Sequence, residues 1–368
     1  MAAQVFFWDL SSSRKVPFDR RLRKLLKSSA WAGHLQSGDL VAVKVHFGEA
    51  GATGFVSPHM LKPVLDFLKK AGTRPFLTDT NTLYIGRRGE SVSHALQAAR
   101  HGFDPLLLGA PVIIADGIKS GHEVSVNGPG RHFEHCYLAG DILDADALMT
   151  ISHATGHELT GYAGALKNIG MGCATRKGKM QQHCGLGPRV APDKCRGCGE
   201  CIEVCGTGAL RLDEQGRVQI ERDGCTGCAA CLLACKFGAL DVEYHTEIPV
   251  FMERMVEYAG AVLLAVRKPV LHLAYLLNVT AGCDCSGGGH RPLCPDIGVL
   301  ASCDPVALDQ AGYDLINAAP GQSKDAGEGR PPAEDKFAAC TPLADAAHGF
   351  AYAQQLGLGE REYRLIAV

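Results

Sequence analysis

The sequence has almost no net charge and no apolar stretch long enough to cross a lipid bilayer. Lysine and arginine number 37 and aspartate and glutamate 39, which gives a formal net charge of −2. A nearly neutral chain lacks the basic surface that binds nucleic acids or anionic membranes. A membrane-spanning helix needs about 20 mostly apolar residues in a row. We therefore expect neither nucleic acid nor a membrane among the partners.

Signals for export and for dinucleotide binding are also absent. Residues 1–20 do not contain a basic segment followed by an apolar one, the pattern of a secretory signal peptide. No Gly-x-Gly-x-x-Gly lies between a predicted strand and a predicted helix, so direct NAD binding is not expected. Disulfides then explain the 16 cysteines poorly, because they are rare in the cytoplasm. We predict a cytoplasmic protein with reduced thiols in an oxygen-poor cell.

Half of the cysteines form two copies of one spacing, C-x2-C-x2-C-x3-C, set 30 residues apart. Thiolates at this spacing hold three corners of a cubic iron–sulfur cluster, and the fourth cysteine of each run reaches across to the other cluster. A structural zinc site is the alternative, but zinc sites usually pair two separate C-x2-C units. The sequence predicts two [4Fe–4S] clusters, with the ligand sets Cys195, Cys198, Cys201 and Cys235, and Cys225, Cys228, Cys231 and Cys205.

Outside these runs, strand-like apolar segments alternate with helical patterns, which predicts an α/β fold with a mostly parallel sheet flanked by helices. Strands are predicted at 4–9, 40–47, 75–80, 111–116, 147–152, 270–279, 297–302 and 363–368. Helices are predicted at 58–71, 91–101, 137–144, 160–169, 249–266, 305–318 and 341–355, with a surface loop at 320–335. We predict that residues 191–244 form a two-cluster ferredoxin-like insert in an α/β domain of residues 1–190 and 245–368. A linear string of three domains is the alternative.

Polar side chains recur where the predicted strands end. The carboxyl ends of parallel strands meet at one edge of a sheet, where ligands bind in open α/β folds. A single histidine is more often structural than functional, but the same pattern at several strands favours a site. The residues at these strand ends are Lys44, His46, Glu49, Asp79, Asn81, Asp116, His153, His157, Cys283, Asp284, Cys285, Cys303 and Asp304.

Residues 152–184 add a glycine-rich helical segment with cationic side chains. The segment contains Lys167, Asn168, Gly170, Arg176, Lys177 and Lys179. Glycine lets a flat ligand approach the backbone, and the cations offer charge to a phosphate or carboxylate, such as a flavin phosphate. A solvated loop is the alternative for the cations.

Cys283 and Cys285 stand one residue apart before a glycine-rich stretch that runs to His290. Two thiols at this spacing can bind a metal or form a redox pair. The alternative is a pair of buried structural thiols, since free cysteine is often buried.

Four segments resemble the bacterial and archaeal family known as domain of unknown function 362. They are KVHFGE at 44–49, DTNTLY at 79–84, GALKNIGMG at 164–172 and DIGVLASCDPVA at 296–307. The resemblance covers nearly the whole chain and implies an iron–sulfur redox protein. The family name specifies no reaction.

Together these patterns favour an oxidoreductase that passes single electrons between its clusters and a redox group or small-molecule substrate at the strand ends. The catalytic candidates are Lys44, His46, Glu49, His153, His157, Lys167, Asn168, Cys283 and Cys285, and the candidates for binding a further cofactor are Lys167, Gly170, Arg176 and Lys177. A ferredoxin or reductase is the expected partner, and a flavin, an extra metal and a homodimer stay open. The alternatives are a redox or oxygen sensor without catalysis, and a metal-dependent hydrolase or isomerase with regulatory clusters.

Overall fold

The structure, a computed structural model, describes residues 2–12, 16–84, 86–184, 187–242, 247–288, 291–322 and 335–368. Sixteen strands lie within these residues. They are β1 (Ala3–Asp9), β2 (Leu40–Val45), β3 (Arg74–Asp79), β4 (Val112–Ile114), β5 (Glu123–Asn127), β6 (His135–Ala139), β7 (Ala147–His153), β8 (Thr155–His157), β9 (Gly161–Ala163), β10 (Arg189–Val190), β11 (Leu210–Leu212), β12 (Val218–Ile220), β13 (Leu240–Asp241), β14 (Leu271–Leu276), β15 (Gly298–Ser302) and β16 (Tyr363–Ala367).

Thirteen α-helices lie in the same described residues. They are α1 (Phe18–Ser28), α2 (Pro58–Lys70), α3 (Ser91–Arg100), α4 (Pro105–Leu108), α5 (Gly140–Asp144), α6 (Ala165–Gly170), α7 (Arg176–His183), α8 (Glu200–Glu203), α9 (Ala230–Ala234), α10 (Ile248–Ala265), α11 (Pro305–Ala318), α12 (Lys336–Cys340) and α13 (Ala346–Gln355). Within this part of the chain, no helix has the length and apolar composition needed to cross a membrane.

Eight strands form the central sheet, in the order β16-β1-β15-β14-β7-β2-β3-β4. All neighbouring pairs are parallel except the two that involve β15, so this strand alone runs against the other seven. Helices cover both faces, because the strands are apolar on both sides. This arrangement confirms the predicted α/β class with a mostly parallel sheet.

The period of two along β2 separates its two faces. Val41, Val43 and Val45 pack into the apolar core that includes α1 and α2. Ala42 faces the opposite core, with helices α6, α10 and α11, and Lys44 follows on that same face. The strand therefore delivers a cation to one face near its carboxyl end.

The strand order changes direction between β2 and β7. From β2 the chain continues outward to β3 and β4, whereas from β7 it continues to β14 on the other side. In open α/β sheets the crevice at such a switch point, outside the carboxyl ends of the strands, is the usual ligand site. The fold therefore predicts a site between the ends of β2 and β7.

The reversed strand corrects one part of the predicted site. Cys303 and Asp304 follow the carboxyl end of β15, but β15 is antiparallel to both of its neighbours. Its carboxyl end consequently lies at the sheet edge opposite to the ends of β2 and β7. Asp304 there caps α11, because its carboxylate accepts a hydrogen bond from the Ala307 amide at 2.8 Å.

Two predicted helices are shorter than expected and each is preceded by a strand. In the 137–144 segment, β6 pairs with β5 and only Gly140–Asp144 is helical. In the 160–169 segment, β9 precedes α6, which starts at Ala165 because the Asp309 carboxylate accepts the amides of Ala165 and Leu166. The loop predicted at 320–335 falls largely on 323–334, outside the described residues.

The segment that carries the two cysteine runs lies outside the central sheet. Its strands pair with one another, β10 with β13 and β11 with β12. The same left-handed backbone positions recur in both runs, at Gly197 and Gly227 and at Gly199 and Ala229. The sequence repeat is therefore also a repeat of backbone conformation.

We expect replacement of Asp304 by alanine to cost about 0.5–2 kcal/mol of unfolding free energy. Its carboxylate caps α11 and also accepts the Glu360 amide at 2.9 Å, and alanine removes both acceptors. Urea unfolding measures the loss. Asp304→Asn is the matched control, because asparagine is an equally good N-cap, and it should retain most of the stability. Equal stability of the alanine variant and the native protein would contradict this role.

Candidate functional site

A cavity of about 190 Å³ opens at the switch point between β2 and β7. Its wall is formed by the ends of these strands and of β3, by α6 and by the 283–285 loop. Eight of the nine catalytic candidates line it, namely Lys44, His46, His153, His157, Lys167, Asn168, Cys283 and Cys285. Sequence positions more than 200 residues apart are thus brought into one chamber.

A buried carboxylate organises the cations on one side of the cavity. Asp79, at the end of β3, lies 2.9 Å from the Lys44 ammonium, and both side chains are less than 5% exposed. Arg88 lies 3.5 Å away and His94 3.6 Å away, on the other carboxylate oxygen. Burial alone would raise the pKa of Asp79, but the charge of Lys44 and the neighbouring His94 hold it well below its usual range.

Glu49, the ninth catalytic candidate, does not line the cavity and instead contacts Arg88. Its carboxylate accepts the amides of Ala50 and Arg87, at 2.9 and 3.1 Å, and pairs with Arg88 at 3.3 Å. Burial opposes ionisation, but these hydrogen bonds and the Arg88 charge leave the pKa of Glu49 lowered. Glu49 therefore holds Arg88 in position.

Asn168 connects the buried charges to α6 and β7. Its side-chain oxygen accepts a hydrogen bond from Lys44 at 2.8 Å. Its amide nitrogen donates to the Ile151 carbonyl and the Ser152 hydroxyl, both at 3.1 Å. One side chain therefore fixes the spacing of β2, β7 and α6 around the cavity.

His153 has hydrogen-bond partners on both ring nitrogens. Nδ1 lies 3.0 Å from the Asp284 carboxylate and Nε2 lies 2.7 Å from the Leu277 carbonyl oxygen. Burial would lower the pKa of His153, but the Asp284 charge and the two acceptors raise it. With an acceptor at each nitrogen, His153 positions Asp284 and has no nitrogen left over for a metal or substrate.

Cys283 and Lys167 form a close pair across the cavity. The Lys167 ammonium donates to Cys283 Sγ at 3.3 Å. The Cys285 hydrogen bond and the Lys167 charge lower the pKa of the Cys283 thiol, whereas the pKa of Cys285, the donor of that bond, is raised. Burial would lower the pKa of Lys167, but the two sulfurs raise it to about 12. Lys167 therefore places a positive charge against the Cys283 sulfur, where it would stabilise a thiolate.

The loop that carries these sulfurs is fixed at three points. The Asp284 carbonyl accepts the Glu49 amide at 3.0 Å, the Cys285 carbonyl accepts the Tyr84 hydroxyl at 3.1 Å, and His153 binds the Asp284 carboxylate. Gly51 lies so close that a Cβ there would meet the Gly287 carbonyl oxygen at 2.6 Å. The glycine-rich continuation at 289–290 lies outside the described residues.

His46 and His157 present neutral imidazoles to the cavity. In each, Nδ1 accepts a backbone amide two residues further on, from Gly48 at 3.0 Å and from Leu159 at 3.2 Å. The neutral ring therefore carries its hydrogen on Nε2. Burial lowers the pKa of both histidines well below the usual value. Each histidine can donate one hydrogen bond into the chamber.

Three of the residues predicted to bind a further cofactor do not line the cavity. Arg176 donates to the carbonyls of Gly89 and Ala229 at 2.8 and 3.0 Å. The Lys177 ammonium lies 3.4 Å from the Tyr137 ring centroid, and Gly170 packs against the α10 backbone. Of the four residues predicted to bind a flavin or similar cofactor, Lys167 alone lines the cavity.

Sequence patterns did not identify Arg88 as a cavity residue. It lies in a loop without periodicity, so nothing local signals its burial. Lys179, predicted to offer charge to a ligand, does line the cavity, but its ammonium donates to Thr80, Asn81 and Ala174 oxygens. Burial lowers the pKa of Lys179 to about 8.

The two cysteine runs come together outside the cavity. A small hollow is lined by Cys195, Cys198 and Cys201 of the first run and by Cys235 of the second. Burial raises the pKa of Cys201, and its neighbours Cys235, Cys198 and Cys195 raise it further. Backbone amides point at the sulfurs of Cys195 and Cys235, from Val218 at 3.3 Å and Ala239 at 3.2 Å.

The second set packs against the wall of the cavity. Cys231 lies near Cys228, Cys225, Cys201 and Cys205. Its apolar surroundings include Leu83 and Met180, and Leu83 also lines the cavity. Arg176 joins the two regions, because its guanidinium donates both to Leu83 and to Ala229 carbonyl oxygens.

Two groups in the described chain have ligand atoms close enough for one metal ion. His157, Cys283 and Cys285 each place such an atom within 4.8 Å of the others, in the cavity. His122, Asp141 and Asp144 do so near the surface. The donor set of the first group suits a soft transition metal, but the Leu159 amide at His157 Nδ1 keeps the ring hydrogen on Nε2 and opposes ligation there.

The sequence matches one family model, described as domain of unknown function 362, over residues 41–314. No curated protein matches. Among solved structures, the lactate racemase apoprotein from Thermoanaerobacterium thermosaccharolyticum is similar at 11% identity and a TM-score of 0.36, over 75% of this chain and 51% of that one. A structural-genomics protein from Thermotoga maritima is similar at 11% identity and a TM-score of 0.42, over 81% and 57%. The chain spans little more than half the length of either solved protein.

We expect Asp79→Asn to lower the unfolding free energy by about 3–5 kcal/mol, because it leaves the buried Lys44 and Arg88 without their shared counter-charge. Asp66→Asn is the matched control, since Asp66 pairs with Lys62 and Lys69 at the surface and should change stability by about 1 kcal/mol or less. Urea unfolding at neutral pH measures both.

The pH dependence gives a second measurement. The lowered pKa of Asp79 means that its contribution is complete above about pH 4 and is lost as the pH falls through the folded value. The native protein should therefore lose more stability on acidification than Asp79→Asn. Parallel acid profiles of the two proteins would contradict the assignment.

Proposed function

We propose that this chain, which belongs to the domain of unknown function 362 family, is an iron–sulfur oxidoreductase. In this proposal the eight cysteines of the two runs hold two [4Fe–4S] clusters, and the cavity at the strand ends is where a small molecule is oxidised or reduced. When bound, the clusters supply one-electron transfer. A ferredoxin or reductase is the expected source of electrons.

The observation that carries the proposal is the crossing of the two cysteine runs. Three cysteines of the first run share a hollow with the last cysteine of the second, Cys235. In the other set, Cys231 interacts electrostatically with Cys228 and Cys225 of its own run and with both Cys201 and Cys205 of the first run. A zinc site gives no reason for this exchange of the fourth ligand, whereas a two-cluster ferredoxin requires it. The amides directed at Cys195 and Cys235 also suit cluster sulfurs, because such hydrogen bonds tune the reduction potential.

The position of the second cysteine set supports electron transfer to the cavity. Leu83 belongs to the same apolar cluster as Cys231 and also lines the cavity. Arg176 donates to the carbonyls of both Leu83 and Ala229. A cluster held by this set would therefore adjoin residues of the cavity wall.

The cavity residues have complementary roles in such a reaction. Lys167 places positive charge at the cavity wall, and the Nε2 hydrogens of His46 and His157 can donate hydrogen bonds to a bound molecule. Cys283 supplies a reducing or nucleophilic sulfur. Arg176, Lys177 and Gly170 lie away from the cavity, so the proposal does not include a flavin.

We also propose that residues 191–244 constitute the cluster-binding insert and that residues 1–190 and 245–368 form the α/β domain. β10, the last two residues before this insert, pairs with β13 near its end, which supports an insert whose first and last residues lie close together. The proposed boundary at 244 lies outside the described residues.

Protein purified without oxygen should contain about eight iron and eight inorganic sulfide per chain, the content of two [4Fe–4S] clusters. Cys235→Ser should damage the same cluster as Cys198→Ser, although the two positions lie in different runs. Cys205→Ser should instead reproduce the effect of Cys228→Ser. Iron analysis and electron paramagnetic resonance of the reduced variants distinguish the two clusters.

Cys303→Ser is the control, because Cys303 is at the opposite edge of the sheet and should leave iron content unchanged. Colourless protein without sulfide would refute the proposal. Spectra in which Cys235→Ser resembles Cys228→Ser would refute the crossed ligand sets.

A further inference from the structure

We propose that Cys283 and Cys285 form a thiol–disulfide couple that reduces a small-molecule disulfide. Cys283 is the attacking thiolate and Cys285 the resolving thiol. The inference rests on the proposed function for its supply of electrons, but the exchange itself depends only on the cavity.

The pair has the environment that a reactive thiolate requires. A buried thiolate needs a nearby cation, and Lys167 donates to Cys283 Sγ at 3.3 Å. This hydrogen bond goes to Cys283, which assigns the thiolate to Cys283 and the thiol to Cys285. Both residues line the 190 Å³ cavity, so a small disulfide can reach them.

Hydrogen bonds hold the loop that carries the two sulfurs and the helix that carries Lys167 in fixed positions. Hydrogen bonds from Glu49, Tyr84 and His153 hold Asp284 and Cys285. Lys167 belongs to α6, whose first amides are capped by the buried Asp309. The thiolate and its ammonium are therefore attached to two separately anchored elements.

A metal ion is the competing occupant of this site, and two contacts disfavour it. The Leu159 amide is directed at His157 Nδ1 and leaves the ring hydrogen on Nε2, so neither nitrogen has a free lone pair for a metal. Lys167 already satisfies the Cys283 charge. With that hydrogen in place, His157 acts as a hydrogen-bond donor to sulfur or to a leaving group.

The exchange balances in three steps. The Cys283 thiolate attacks the substrate disulfide, the substrate S–S bond breaks, and one thiolate leaves and takes up a proton. Cys285 then loses its proton to the second leaving thiolate while its sulfur bonds to Cys283, which releases that second product. Regenerating the thiolate and the thiol from the resulting Cys283–Cys285 disulfide requires two electrons and one proton, and the clusters, when bound, would supply the electrons.

The first test is the rate at which iodoacetamide alkylates Cys283 in the full-length, anaerobically purified protein, followed by peptide mass analysis. At pH 6.5 Cys283 should react at least about tenfold faster than Cys303, and Lys167→Met should slow it about tenfold or more, which corresponds to one pKa unit or more. The midpoint of the rate profile should move to higher pH in Lys167→Met and return towards the native value in Lys167→Arg. Lys177→Met, a lysine outside the cavity, is the matched control.

The second test uses bis(2-hydroxyethyl) disulfide as the probe. The native protein should release two mercaptoethanol molecules and acquire a Cys283–Cys285 disulfide. Cys285→Ser should stop with mercaptoethanol attached to Cys283, whereas Cys283→Ser should form no adduct at residue 285. Reduced clusters should then restore the native thiols, with dithiothreitol as the chemical comparison.

Different failures have different meanings. A stoichiometric zinc, nickel or other non-cluster metal that Cys285→Ser releases would overturn the inference, as would alkylation of Cys283 no faster than that of Cys303. Reducible clusters that leave the disulfide intact would also overturn it while the proposed function stands. Absence of iron would refute the proposed function. The thiol–disulfide exchange with dithiothreitol as the reductant would then still show whether Cys283 and Cys285 react as inferred.

Discussion

The carboxylate of Asp79 is the constraint on which the cavity depends. It is almost inaccessible to solvent and has Lys44 at 2.9 Å and Arg88 at 3.5 Å. Removing one member of a buried ion pair leaves an uncompensated charge, which costs several kcal/mol. Asp79 therefore holds together the ends of β2 and β3 and the loop that carries Arg88. Lys44 also donates a hydrogen bond to Asn168, which connects α6 to the same group.

Helix α6 connects this charged group to the sulfur of Cys283. Its adjacent residues Lys167 and Asn168 serve different partners, the Cys283 sulfur and the Lys44 ammonium. Asp309, from α11, fixes where the helix begins by accepting two of its first amides. A helix of six residues is too short to be stable alone, so its position comes from these side-chain contacts. The same contacts therefore determine how a cation meets the thiolate.

Local sequence patterns predicted the strands and many residues of the cavity, but not the direction of β15 or the burial of Arg88. Strand ends rich in polar residues correctly brought Lys44, His153 and Cys283 to one edge. Cys303 was misplaced because strand direction depends on pairing with distant strands, and β15 runs opposite to its neighbours. Arg88 was missed because its burial follows from contacts with Asp79 and Glu49, which no spacing in its own loop reveals.

Arg176 shows why a cationic residue near a site need not face it. Its guanidinium is buried and donates to the carbonyls of Gly89, Leu83 and Ala229. Leu83 and Gly89 flank Arg88 in the loop that meets Asp79, whereas Ala229 precedes the helix that carries Cys231. Because backbone carbonyls buried without a donor are costly, this one side chain stabilises the contact between the two regions. A shift in the cysteine segment would therefore displace the loop that carries Arg88, and through it the charges of the cavity.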